Sequence, residues 1–209
     1  MWQKIGSRAD ALEPAQFKLF ADSLSTATPS HRDCYLLALY HGLRPAEAYS
    51  LKWTDVDFAK GLITLKHDTE TSKRSYTVPV SKQSRGILAK RHESPDRDNE
   101  YVFPAQGFRN SHQHLIIRAD DLKRRTGLDL TVHGLRRTFI STGERLRLRR
   151  EDINMLTGHT DHTVTGKHYA KISPEDLRPV VQVIADQIER FLIGDTNAKV
   201  IAFPDRKTA

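Results

Sequence analysis

Apolar positions recur at helical spacing along most of this chain and alternate in one short early stretch. Phe17, Phe20 and Leu24 fall on one side of a helix predicted over 14–25. Thr28-Pro29-Ser30 opens a second helix, with Ser30 as N-cap and Asp33 three residues on. It runs to His41, and Gly42 ends it. A short helix follows Pro45, a residue suited to a first helical position. The period then changes. Trp53 to Asp57, Gly61 to Lys66 and Ser75 to Val80 alternate and carry β-branched residues, so they read as strands. The polar stretch His67 to Arg74 is the expected loop between the last two. Helices return over 81–92, 111–126, 133–146, 150–157, 161–170 and 174–193, and Gly194 stops the last. The pattern predicts a mainly α domain with a small antiparallel β-sheet inserted early.

Length and composition narrow the class. The chain has 209 residues, 38% hydrophobic and 28% charged, which suits a globular core. No apolar run approaches the roughly 18 residues that span a bilayer. One cysteine excludes an internal disulfide framework and any multi-cysteine zinc site. Cys34 sits in an apolar helical run and reads as a buried small residue. The formal charge is +7, which favours a polyanionic partner. Its distribution says more: nine Lys or Arg fall between Lys123 and Arg150, against the two acids Asp129 and Glu144. A clustered basic stripe of this kind is the footprint of phosphate contact, and Lys123, Arg124, Arg125 and Arg137 are its candidate DNA-binding residues. The ten histidines do not suggest a metal site. His112 and His114 are two apart on a predicted helix and do not share a face, and His162 and His168 have no obvious carboxylate set.

Three clusters carry candidate chemistry. In His41-Gly42-Leu43-Arg44-Pro45-Ala46-Glu47, Gly42 permits a sharp turn and Pro45 biases Arg44 towards extended backbone. Glu47 is placed to bond back to that turn or to brace the guanidinium. In Thr131-Val132-His133-Gly134-Leu135-Arg136-Arg137, Thr131 caps a helix and His133 and Arg136 share a face. A phosphate at that helix start gains from backbone N–H groups and both side chains. In Leu156-Thr157-Gly158-His159, Gly158 ends a helix and leaves His159 at a corner. Tyr169 follows after Lys167-His168, late in the next predicted helix. Taken singly, each reads as an ordinary surface arginine, a basic helix and a core tyrosine.

Their order is distinctive. H-G-L-R-P-A-E, H-G-L-R-R-T-F and T-G-H followed by H-Y resemble the tyrosine recombinase (phage integrase) family. Leu51-Lys52-Trp53 and Asp55-Val56-Asp57 look like that family's sequence after its first arginine, and the resemblance covers about residues 12 to 190. It implies the family's catalytic-domain fold over 12–193, an extension or linker over 1–11, and a tail over 194–209. Arg44 and Arg136 would clamp phosphate, His133 and His159 would be the two catalytic histidines, Tyr169 the nucleophile, and Glu47 the support of the first arginine. Two arginines suffice to hold the non-bridging oxygens with paired donors, so no metal is implied, and a covalent link that conserves the bond energy lets rejoining proceed without ATP. A phenol with pKa near 10 needs such help to attack at neutral pH. The implied partners are double-stranded DNA and three further copies of the chain, exchanging tails through the apolar Val200-Ile201-Ala202-Phe203, in the cytoplasm beside the nucleoid.

Two departures stand out. The family's lysine in the hairpin turn, expected to protonate the leaving 5′ oxygen, has no obvious counterpart. Glu70 or Thr71 falls where it belongs, Lys66 precedes the stretch, and Lys73 is the residue taken for the role. The family's usual DNA-clamping domain before the catalytic domain is also not in this sequence, as expected of an excised fragment. The competing readings are a type IB topoisomerase, which relaxes supercoils without a preferred site, and a non-catalytic DNA-binding relic, motivated by Glu70.

Overall fold

The computed structural model of the chain describes residues 10–69, 72–94, 98–105, 113–159 and 172–195, with backbone alone for 67–69 and 72–74. A 3-10 turn at Pro14–Gln16 enters α1 (Phe17–Ser23), and a second at Leu24–Thr26 leaves it, so the first predicted helix is tightened at both ends. α2 (Pro29–His41) is the central rod. Cys34, Tyr35, Leu37, Ala38 and Leu39 are fully buried on it, and it packs against α4 (Lys82–His92), α6 (Val132–Arg145) and α8 (Pro174–Leu192). Its N-cap is Thr28 rather than Ser30. The Thr28 hydroxyl accepts from the His31 N–H, Pro29 takes the first helical position, and the buried Ser30 hydroxyl accepts from Arg91.

α3 (Pro45–Tyr49) follows the Gly42 corner. The predicted strand Trp53–Asp57 is mostly a 3-10 turn over Trp53–Asp55, where the Asp55 carboxylate accepts from the Lys52 N–H. Only β1 (Val56–Asp57) pairs with β2 (Leu62–Thr69), which pairs with β3 (Ser72–Pro79) in an antiparallel sheet ordered β1-β2-β3. The register sets Ile63 opposite Val78 and Leu65 opposite Tyr76. Ile63, Leu65 and Val78 are buried, so this face of the hairpin is the inner one. Of the expected loop His67–Arg74, the described residues 67–69 and 72–74 are strand instead, paired out to Thr69 and Ser72, with Asp68 opposite Lys73. These residues have no apolar alternation to show in the sequence.

The predicted helix 111–126 is also corrected. Within the described residues only α5 (Asp121–Thr126) is helical. Leu115 bonds to the Phe103 carbonyl, and Leu115 and Ile117 are buried while Ile116 is 73% exposed. That is the alternation of extended chain, not a helical stripe. α7 (Arg150–Leu156) and α8 match their predicted extents closely. α8 buries Leu177, Val181, Ile184, Ile188 and Phe191 at helical spacing and holds the sheet: Arg178 donates to the Lys60 and Gly61 carbonyls. The predicted helix 161–170 lies outside the described residues.

Two positions near the end of α2 generate predictions. His41 is 1% exposed, and neither ring nitrogen has a hydrogen-bond partner among the described residues. Burial pushes its pKa down from 6.5 to about 4. A histidine with a depressed folded pKa opposes folding once it is charged. Its contribution is therefore neutral above pH 6.5, grows unfavourable as pH falls towards 4, and levels off below. The expected loss over that window is about 3 kcal/mol. Urea denaturation across it should show His41→Leu flattening the pH dependence; an unaltered slope would rule this out. Gly42 has φ of +61°, and a Cβ there would meet the buried Phe139 ring at 2.7 Å. Gly42→Ala should cost at least about 2 kcal/mol, from left-handed strain plus the clash. A urea midpoint within error of wild type would contradict it.

Candidate active site

The site is built where two helices end. α2 stops at Gly42 in left-handed backbone, with the Gly42 and Leu43 N–H groups both bonded to the Ala38 carbonyl, and the chain turns directly into Arg44 and α3. α7 stops the same way. Gly158 has φ of +63°, its N–H bonds to the Met155 carbonyl, and the His159 N–H bonds to the Asn154 carbonyl at 2.9 Å. Each is a left-handed glycine stop that exposes carbonyls at the negative end of a helix dipole.

Those carbonyls hold the two arginines. Arg136, on α6 and 2% exposed, donates from Nη1 to the Gly42 carbonyl at 2.7 Å and from Nη2 to the Thr157 carbonyl at 2.6 Å. Arg44 donates to the Thr157 carbonyl at 3.3 Å and the Gly158 carbonyl at 3.1 Å. The Thr157 carbonyl thus joins both guanidinium groups. Glu47, also buried, accepts from Arg44 Nη1 at 2.8 Å and from the Arg44 backbone N–H at 2.7 Å. Among the described residues it is the one carboxylate bonded to the pair, so two cations there face one anion. Burial, and then the charge of Arg44, hold the Arg136 guanidinium below its ordinary pKa. Such a site favours a bound anion.

His159 lies against Arg136, with Nε2 at 3.0 Å from Nη2 and Nδ1 at 2.9 Å from the Thr157 hydroxyl. That hydroxyl donates to the Ile153 carbonyl at 2.8 Å, so it accepts from Nδ1–H, and Nε2 is left to accept from Arg136. In this arrangement His159 is an acceptor. It becomes a phosphate donor only by gaining a second proton or turning its ring. His133 stands exposed at the start of α6, whose cap is the Thr131 hydroxyl accepting from Gly134 N–H at 3.0 Å. Burial lowers its pKa, followed by the charges of Arg137 and Arg136, with Asp10 opposing. It is therefore neutral at pH 7 and free to take a proton.

Arg44, Glu47, His133, Arg136 and His159 are thus brought to one place. Tyr169 lies outside the described residues. Lys73 falls in β3, and its side chain is outside the described set, as are Glu70 and Thr71. Lys66, which precedes that stretch, pairs with Asp55. The candidate DNA-binding cations have partners within the protein. Arg137 pairs with Asp10, Lys123 with Asp129, Arg124 with Asp120 and Asp121, and Arg125 with Asp121, which also accepts from the buried Tyr35. Lys123 and Arg124 remain more than half exposed, so their pairs are solvated and exchangeable. Among the described residues no cluster of His, Cys, Asp and Glu is arranged to hold a metal, and no helix is long and apolar enough to cross a membrane.

Three contributors were not singled out in the sequence. Thr157 acts through its carbonyl and hydroxyl. Asp10 lies over the first turn of α6, where its carbonyl would be 2.2 Å from a Cβ at Gly134. Tyr76, on the inner face of β3, donates its hydroxyl to Glu47 Oε2 at 3.1 Å. Alternation with Val78 was the signal available for Tyr76; backbone acceptors leave none.

Comparison with known proteins gives consistent relatives. The prophage integrase IntF of Escherichia coli K12 is 26% identical over 197 residues, 91% of this chain and 41% of that protein. The tyrosine recombinase XerA of Thermococcus kodakarensis is 28% identical over 180 residues, 81% of this chain and 61% of the relative. The chain therefore spans between two fifths and about three fifths of these relatives' lengths. Among solved structures, the Tn1549 transposon integrase in complex with a circular intermediate DNA superposes with a TM-score of 0.60 at 17% identity, over 84% of this chain and 66% of that one. A XerA recombinase crystal structure gives 0.56 at 22% identity, over 81% and 62%. At these identities the superpositions speak for the fold, a mainly helical domain with a small antiparallel sheet. The phage integrase family matches residues 11–176. Since that match runs over most of the sequence, the chain belongs to the phage integrase family of tyrosine recombinases.

Proposed function

We propose that this chain is the catalytic part of a site-specific DNA recombinase that cleaves and rejoins strands through a 3′-phosphotyrosine at Tyr169. The observation that carries the reading is the junction of Arg44 and Arg136 on the Thr157 carbonyl, with His159 against the Arg136 guanidinium and the buried Glu47 carboxylate paired with Arg44. A scissile phosphate supplies the missing negative charge. The Tyr169 oxygen attacks phosphorus, and its proton passes to neutral His133. The P–O5′ bond breaks, and the 5′ oxygen takes a proton from Lys73. Attack by a 5′ hydroxyl on the phosphotyrosine reverses each step, so the energy of the phosphodiester is kept. The arginines stabilise the charge that builds on the non-bridging oxygens. Lys123, Arg124, Arg125 and Arg137 would exchange their carboxylate partners for DNA phosphates. The DNA in the Tn1549 integrase complex, and in that of a lambda integrase dimer bound to a core site, supports duplex DNA as the partner. Four protomers on two duplexes, linked by their tails, complete the reading.

The test is covalent capture on a pool of nicked duplexes with randomised flanks, resolved on a denaturing gel. Wild type should give a shifted band and Tyr169→Phe none. Lys73→Ala should slow its formation by about a hundredfold, the share of a general acid. DNA binding without any covalent band from wild type would favour the non-catalytic relic. Because the His133 pKa lies below 6.5, the cleavage rate should be level above that pH and fall on acidification. His133→Asn should be slow at every pH; a retained acid limb would assign it to another group.

A further inference from the structure

Tyr76 touches two of the groups that orient Arg44, Glu47 and the Gly158 corner. The hairpin register puts it opposite Leu65 and on the face of Ile63 and Val78, so strand alternation turns it inward. Its hydroxyl donates to Glu47 Oε2, the same oxygen that accepts from the Arg44 backbone N–H, while Oε1 holds Arg44 Nη1. Its ring lies against the Gly158 corner, where a Cβ would come within 2.4 Å of ring carbon Cε1. The Gly158 carbonyl in turn accepts from Arg44 Nη2. Two of the three supports of the Arg44 guanidinium, the Glu47 carboxylate and the Gly158 carbonyl, therefore rest on one side chain from the hairpin; the Thr157 carbonyl is the third.

We propose that Tyr76 is a positioning residue for the strand-cleavage reaction, aiming Arg44 through Glu47 and the Gly158 corner and so tying the hairpin to the phosphate clamp. The proposal rests on the recombinase reading above. Tyr76 is not a second nucleophile: burial, and then the Glu47 charge, push its hydroxyl well above the ordinary phenol range, so it keeps its proton and donates it in a hydrogen bond. Glu47 keeps its two bonds to Arg44 when the Tyr76 hydroxyl is removed, but loses the donor that fixes its rotamer. The loss belongs to the chemical step, because Arg44 still carries its charge to the DNA.

The experiment is a double-mutant cycle of Tyr76→Phe and Glu47→Gln, using a duplex recovered by wild type from the randomised pool. Single-turnover formation of the covalent product is followed at increasing protein concentration, with thermal unfolding alongside. Tyr76→Phe should lower the saturating rate constant about tenfold, as expected of a small misalignment, with the half-saturating concentration unchanged. The double mutant should be no slower than Glu47→Gln alone, since both changes act on one element. A partly unfolded variant lowers the amplitude of product formation rather than its rate constant, so a folding defect reads differently. A wild-type rate in Tyr76→Phe, a change confined to half-saturation, or fully multiplicative losses in the double mutant would each overturn the role. Absence of product with wild type overturns the recombinase reading first, at the control, and the Tyr76 role with it.

Discussion

The structure depends on how a buried guanidinium is held without a carboxylate of its own. Arg136 is the largest fully buried side chain in the described residues, and its charge is met by the carbonyls of Gly42 and Thr157. An unpaired buried charge costs several kcal/mol, and an imperfect pair repays little of it. Here the compensation comes from two helix ends, each with carbonyls that have no intrahelical partner. The helix ends need a donor and the arginine needs acceptors. α2, α6 and α7 are locked at this one point, so the site is part of the core rather than an addition to its surface.

The same junction explains the chemistry of the site before any ligand arrives. Arg44 and Arg136 share the Thr157 carbonyl and keep their positions while they repel one another. Glu47 relieves only one charge. The remaining imbalance is directed, because the backbone that frames it is rigid, and preorganised charge of this kind stabilises a transition state without rearrangement during the reaction. The protonation of the histidines fits the same frame: burial, and then the charges of Arg137 and Arg136, keep His133 neutral, and His159 is keyed to one tautomer by Thr157.

Much of this was legible in the sequence, for identifiable reasons. Helices with one apolar stripe, such as α8, or with a proline start and glycine stop, such as α2, were legible because local chemistry and packing agree. The motif arginines, histidines and Glu47 were legible because the family's spacing carries them. The outer half of the hairpin was not, since polar residues in a two-stranded ribbon carry no burial pattern. Residues 113–120 misled because the apolar run Leu115-Ile116-Ile117 shortly precedes a true helix and reads as part of it; the exposure of Ile116 between two buried neighbours marks extended chain. Tyr76 was hidden because its importance depends on a register, and the carbonyl sockets because every residue has a carbonyl.

No substitution deletes a main-chain oxygen, so the acceptors around Arg136 are immune to mutation as chemical groups and vulnerable only as places. What must be inherited is the bend that presents them, and in this chain each bend turns on a single glycine, Gly42 or Gly158. The recognition of this cation is written in the path of the chain rather than in any one side chain along it.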